Sequence, residues 1–198
     1  MKVTYFYDYT CPHCYIGSKR LQTLSKEFDL DVEWVGIEIH PEFPPEGLKK
    51  RNKSLKSKTF TKTIRQISTD DNRELKLPGF VTNSRLSLEA SEYAKTRDRF
   101  LEYHNGIYEA YFQQARNIGD KSIILDVGTN SGLDREELRD VLETRSMFNK
   151  IKENNLLAEQ HSVLGVPTFL FGEFPLHGNQ STETLRSIIS RSIERLQK

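Results

Sequence analysis

The sequence predicts an α/β fold built from two separated halves with a long helical insertion between them. Three observations predict it. A β-α-β pattern opens the chain, a β-β-α pattern closes it, and the stretch from about residue 48 to about residue 162 carries helical patterns with no good strand. The expected organisation is residues 1–41 as the first half (βαβ), 42–162 as an all-helical insertion and 163–198 as the second half (ββα).

The elements follow in order. Residues 2–8, with Val3-Thr4-Tyr5-Phe6-Tyr7 at their centre, alternate enough and are aromatic enough for a strand. From Cys14 onward Leu21, Leu24 and Phe28 recur at helical spacing, and Asp29 to Asp31 make the break. Val32 to Ile39 reads as a second strand, so the β-α-β unit predicts a parallel pair with a right-handed crossover. The prolines of His40-Pro41-Glu42-Phe43-Pro44-Pro45-Glu46-Gly47 end regular structure.

Within the insertion, Phe100, His104, Ile107, Tyr111 and Ala115 trace one helical face, read as core. Asp134 three residues before Glu137 has the form of a capping box opening a helix with Leu138, Val141 and Leu142. A further helix is predicted over Met147 to His161. The β signal returns at Pro167-Thr168-Phe169-Leu170-Phe171, and Gly172-Glu173 predicts a hairpin into Phe174-Pro175-Leu176. Leu185, Ile188, Ile189, Ile193 and Leu196 form the apolar stripe of a last helix, with Ser181 as its N-cap. This order of elements is that of a thioredoxin-like fold split by a helical lobe.

The chemistry concentrates at Cys11-Pro12-His13-Cys14, which holds the only two cysteines of the chain. The motif sits at a strand-to-helix junction. Cys11 falls near the helix N-terminus, where the dipole favours a thiolate, and the thiolate is the species that attacks a disulfide. Cys14, one turn on, is placed to resolve the mixed disulfide that results. Pro12 fixes φ and opens the turn for the helix. His13, between the sulfurs, is placed to favour the Cys11 thiolate by hydrogen bonding or charge. Zinc is the rival reading of a C-x-x-C pair. A closed structural site needs four ligands, no third cysteine exists, and His40, His104, His161 and His177 show no H-x(3–5)-H pairing. A C-x-x-C beside a β-α-β pattern reads as a redox site. No metal and no nucleotide cofactor is expected.

Gly165-Val166-Pro167-Thr168 opens a strand, and proline is tolerated at a strand's first residue. With C-P-H-C upstream, the sharper reading is a cis Val166–Pro167 peptide facing the dithiol. It would expose a backbone edge to an extended substrate and keep metal-binding groups from the sulfurs.

Composition bounds the partners. Twenty-nine Lys and Arg against 28 Asp and Glu give a net charge of +1, which offers no global argument for nucleic acid or an acidic membrane. The chain is 29% charged and 36% hydrophobic, as an ordinary globular chain is. No apolar run approaches the about 20 residues of a membrane span. The N-terminus enters a strand pattern with no apolar leader, so the cytoplasm is the expected compartment. The stretch from Lys49 to Arg65 is rich in Lys and Arg without an acidic residue. It lacks interleaved stacking aromatics apart from Phe60, and reads as a solvated helix face.

Cys11-Pro12-His13-Cys14, the helical insertion and Gly165-Val166-Pro167 together resemble the DsbA family of thiol–disulfide oxidoreductases. Cys14-Tyr15-Ile16-Gly17, Val32-Glu33-Trp34, Pro44-Pro45-Glu46-Gly47, Ala110-Tyr111-Phe112 with Asn117-Ile118-Gly119-Asp120, and Gly178 resemble its FrnE-like branch. The resemblance spans nearly the whole chain. It implies Cys11 as nucleophile, Cys14 as resolving thiol and Pro167 as a cis proline. His13 departs from the tryptophan associated with the branch and matches the periplasmic DsbA dipeptide, which implies an oxidising poise.

The function expected is thiol–disulfide exchange on cysteine-bearing polypeptides, as oxidase, reductase or isomerase, with Val166 and Pro167 binding substrate. Glutathione or a thioredoxin-type protein would exchange electrons with it. Two alternatives stand beside it. One is a glutathione-dependent 2-hydroxychromene-2-carboxylate isomerase or kappa-class glutathione transferase-like enzyme, relatives that carry serine at the nucleophile position. The other is a non-enzymatic holdase for unfolded chains.

Overall fold

The computed structural model describes residues 1–49, 75, 76 and 78–196. Strand β1 (Lys2–Tyr7) leads into helix α1 (Pro12–Phe28) and strand β2 (Asp31–Gly36). After the helical lobe come β5 (Thr168–Phe171), β6 (Phe174–His177) and α7 (Thr182–Leu196). The four strands form one sheet in the order β2-β1-β5-β6. The β1–β2 pair is parallel, as the crossover predicts, and β1–β5 and β5–β6 are antiparallel.

β1 is central and covered on both faces, so its residues from Val3 to Tyr7 are all buried. Val3, Tyr5 and Tyr7 join the main core with Leu21, Leu24, Leu88, Tyr103, Leu185 and Ile189. Phe6 points the other way, into a smaller cluster with Val35, Ile37, Ala158 and Leu170. This double burial corrects the alternation read in the sequence: after Lys2 no residue of β1 is exposed, so the strand has no solvent face.

α1 starts at Pro12, directly after Cys11, as the motif's place at a strand-to-helix junction predicts. Cys11 is its N-cap in extended conformation and Pro12 occupies the first turn, where a missing N–H costs nothing. Asp29 ends it in the left-handed region at φ 49°. β2 is shorter than the predicted Val32–Ile39, because β1 ends at Tyr7. Ile37 N–H still donates to the Tyr7 carbonyl (2.9 Å), and Ile39 N–H then finds the Asp8 carboxylate (2.9 Å) in place of a strand.

The insertion is not all-helical. β3 (Leu48–Lys49) and β4 (Phe80–Val81) pair antiparallel. A ladder of two residues per strand is too short to leave a periodic signal. The helices are α2 (Arg85–Lys95), α3 (Phe100–Phe112), α4 (Lys121–Asn130), α5 (Arg135–Thr144) and α6 (Phe148–Gln160). Phe100, His104, Ile107 and Tyr111 are buried on α3 as read, whereas Ala115 lies past its end at φ 54°. Asp134 caps α5, accepting from Glu136 N–H and Glu137 N–H at 2.9 Å each. Glu137 does not close the box. It instead accepts from Tyr93 (2.6 Å) and pairs with Arg97. Beyond Lys49, the basic stretch to Arg65 lies outside the described residues.

Gly172, at φ +66°, makes the predicted hairpin turn. Ser181 Oγ accepts from Thr184 N–H (3.1 Å) and caps α7, whose Leu185 and Ile189 are fully buried. Among the described residues, no helix is long and apolar enough to cross a membrane.

Candidate active site

β1 delivers the chain to a tight turn, Asp8-Tyr9-Thr10, and the turn delivers Cys11 to the start of α1. Cys11 N–H donates to the Asp8 carbonyl (3.2 Å), and Cys14 N–H donates to the Cys11 carbonyl (3.1 Å). No acidic residue occupies the first turn of α1, so nothing on that turn offsets the positive end of the dipole beneath Cys11. From the other half of the chain, the turn before β5 brings Val166 to the same edge. The Val166–Pro167 bond is cis, and the Cys11 thiol lies 3.7 Å from the Val166 carbonyl oxygen.

That turn is held by its own bonds. Thr168 Oγ donates to the Gly165 carbonyl (2.7 Å) and meets His177 Nδ1 at 2.9 Å. Gly178 N–H donates to the Pro167 carbonyl (2.8 Å). The fold therefore brings Cys11, Cys14, Val166 and Pro167 to one edge, with Pro12 and His13 within the first turn of α1.

The two thiols differ. Both are free, but Cys11 retains 9% exposure and Cys14 has none. Burial pushes the Cys14 thiol well up, and the neighbouring Cys11 sulfur pushes it further. Cys14 thus keeps its proton while Cys11 faces the opening. His13 is half-buried, and burial pushes its imidazole below the usual range. Its ring is neutral at neutral pH, so any help it gives a Cys11 thiolate comes from an N–H donor rather than a full charge.

Several residues that build this site carry no sequence motif of their own. Tyr5 donates from its hydroxyl to the Cys14 carbonyl (2.8 Å) and walls in the helix start. Gly17 makes that possible, since a Cβ there would meet the Tyr5 hydroxyl at 2.7 Å and the Phe169 ring at 3.3 Å. Tyr108, from α3, donates to the Asp8 carbonyl (3.2 Å). Asp8 itself is a fully buried carboxylate three residues before the nucleophile. An acidic residue at the end of an apolar strand was the one available signal. Among the described residues, no group of three or more His, Cys, Asp or Glu side chains is arranged to hold a metal ion.

A cysteine pair at a helix start, set against a prolyl turn that closes over it from the far half of the chain, makes this protein a thiol–disulfide oxidoreductase with a thioredoxin fold. The chain belongs to the DSBA-like thioredoxin domain family, whose family model matches residues 2–190. It is 27% identical to the Bacillus subtilis protein YwbO over 187 residues, 92% of each chain. It is 22% identical to the 2-hydroxychromene-2-carboxylate isomerase of Pseudomonas putida over 198 residues, covering 96% of this chain and 95% of that one. A solved structure of a probable DsbA oxidoreductase from Streptomyces coelicolor superposes with a TM-score of 0.87 at 18% identity, over 98% of this chain and 90% of that one.

Proposed function

We propose that this protein exchanges disulfides with cysteine-bearing polypeptides, with Cys11 as the attacking thiolate and Cys14 as the resolving thiol. The Cys11 thiolate attacks one sulfur of a substrate disulfide. A bond forms between Cys11 and that sulfur, the substrate S–S bond breaks, and the other substrate sulfur leaves as a thiolate and takes up a proton. Cys14 then gives up its proton and attacks Cys11 Sγ. The Cys11–Cys14 disulfide forms, and the second substrate sulfur leaves and is protonated. The substrate is reduced by two electrons and the dithiol is oxidised by two. The same steps in reverse oxidise a substrate dithiol.

The observation that carries this reading is the asymmetry of the pair: Cys11 opens onto the Val166 turn, and Cys14 is sealed behind it. The turn supports a polypeptide substrate. It offers main-chain groups beside the nucleophile, and Leu164 next to it is 90% exposed, an apolar lip for a substrate side chain. Glutathione or a thioredoxin-type protein serves as the electron partner. The cytoplasm is its setting, a reading supported by a cysteine content with nothing beyond the active pair.

Trapping tests it. Cys14→Ser should accumulate mixed disulfides on Cys11 when mixed with a scrambled protein, identified by mass spectrometry. Adducts confined to Cys14 in a Cys11→Ser variant would reverse the assignment.

The second reading is glutathione-dependent isomerisation of a small aromatic acid, favoured by the near full-length similarity to the Pseudomonas putida isomerase. Isomerase turnover that survives Cys14→Ser, in a protein with no disulfide exchange, would establish it instead.

A further inference from the structure

We infer that Asp8 is the positioning residue of the dithiol: its carboxylate ties the nucleophile's turn to the helical lobe, and its charge slows the attack of Cys14 on a Cys11 mixed disulfide. The inference rests on the dithiol reading above and adds a residue to it.

The geometry is that of a hub. Asp8 is fully buried, and both carboxylate oxygens are engaged. Oδ1 accepts from Thr10 N–H (2.6 Å) and Thr10 Oγ (2.7 Å), which fixes the turn immediately before Cys11. Oδ2 accepts from Ile39 N–H (2.9 Å), beyond β2, and from Ser84 Oγ (2.9 Å), at the start of α2. The Asp8 carbonyl accepts from Cys11 N–H and from the Tyr108 hydroxyl, each at 3.2 Å. One residue therefore touches the nucleophile turn, the end of β2 and two helices of the lobe.

Ser84 strengthens the point. It stands at the N-cap of α2, where serine ordinarily accepts from the helix's own N–H groups, and it makes no such bond. Its hydroxyl is spent on Asp8 instead. Arg85, next in sequence to Ser84, pairs with Glu38 (3.0 Å), and among the described residues no ion pair reaches the Asp8 carboxylate. The hydrogen bonds made to Asp8 come from neutral donors, which hold the charge in place without cancelling it.

A buried negative charge that meets no cation among the described residues, and that is felt at Cys14, has a definite sign. It opposes loss of the Cys14 proton, the step by which Cys14 becomes able to resolve a mixed disulfide, and it leaves a neutral disulfide unaffected. Burial leaves the Asp8 carboxyl raised above the usual range, against the opposing pull of the hydrogen bonds it accepts from Thr10, Ile39 and Ser84. Burial and the Cys11 sulfur raise the Cys14 thiol most; the Asp8 charge adds to that, while the Asp8 backbone works against it.

The experiment compares wild type with Asp8→Asn, a change that keeps the shape and removes the charge. Resolution of a Cys11 mixed disulfide by Cys14 should run several-fold faster at neutral pH. A resolution rate that overlays the wild type would overturn the inference. Ser84→Ala carries the test if Asp8→Asn does not fold. It keeps the charge and loosens the tie, so Cys14 should resolve a Cys11 mixed disulfide several-fold more slowly at an unchanged potential; an unchanged resolution rate would overturn the positioning role. A wild type without any disulfide exchange would instead refute the dithiol reading itself.

Discussion

The Cys11 thiol and the Val166 carbonyl oxygen lie 3.7 Å apart across 155 positions of sequence. The sheet imposes this meeting. In the antiparallel β1–β5 pair Phe6 stands opposite Thr168, so the residues that follow β1 and those that precede β5 emerge at one edge. A one-residue slip would turn Phe6 and Phe169 to the wrong faces and carry Val166 away from the sulfur. Burial of those rings on opposite faces of the sheet therefore fixes the register and, with it, the site.

The inequality of the two thiols predicts selective labelling. Iodoacetamide added to the reduced protein at pH 7 should alkylate Cys11 at least about tenfold faster than Cys14, because only an accessible thiolate reacts. Peptide mass spectrometry over a time course reads the two rates. Equal rates would mean that the burial of Cys14 does not protect it in solution.

His13 makes a prediction in pH. Its imidazole lies below the usual range and is neutral above about pH 6.5, the ordinary histidine value. Support for the Cys11 thiolate through an N–H donor should therefore persist from neutral to alkaline pH. His13→Ala should move the thiolate midpoint up by about half to one pH unit, the equivalent of one lost hydrogen bond, and lower the reduction potential. Thiolate absorbance titration measures it. Overlaid curves would remove His13 from the mechanism, and a benefit confined to acidic pH would restore the charged form.

The halves of the fold were legible because each carries its own local signal. β1 and β5 are aromatic runs, α7 has its stripe and its Ser181 cap, and the hairpin has Gly172. The place of the cysteine pair at the start of α1 was legible for the same reason, since its spacing is local. What stayed hidden depends on contacts distant in sequence. The role of Asp8 needs Ile39 and Ser84, 31 and 76 positions away. Glu137 was read as closing a capping box three residues back, but its carboxylate goes to Tyr93 and Arg97 on another segment. β3 and β4 are strands only by virtue of each other.

The turn before β5 predicts a separation of binding from chemistry. Thr168→Val keeps the shape of a fully buried side chain but removes the donor to the Gly165 carbonyl and the partner of His177. The cost in stability should be about 1–3 kcal/mol, the range for leaving a buried polar group unsatisfied. KM for a polypeptide disulfide should rise several-fold as the turn loosens, while the Cys11 thiolate titration stays in place. Denaturant unfolding and steady-state kinetics on one preparation test both halves; a shifted titration with an unchanged KM would contradict the assignment of this turn to substrate binding.

His104 predicts how the fold responds to acid. It is fully buried between Tyr7, Trp34, Phe100 and Tyr108, with Nδ1 3.2 Å from the Tyr9 hydroxyl and Nε2 2.7 Å from Ser18 Oγ. Burial pushes its imidazole well below the usual range, and the charges of Lys19 and Lys95 push the same way. The unfolded chain binds this proton near pH 6.5 and the folded chain does not. The contribution is therefore fully present above that pH. It is lost as the pH falls, by up to about 1.4 kcal/mol per pH unit until the folded histidine itself titrates. Urea unfolding at pH 7 and pH 5 should show a drop in stability that His104→Gln makes smaller, because glutamine has no proton to take up. The variant should also be less stable at pH 7, since it loses ring contacts with the surrounding aromatics. An equal drop between pH 7 and pH 5 in both proteins would assign the acid sensitivity to other groups.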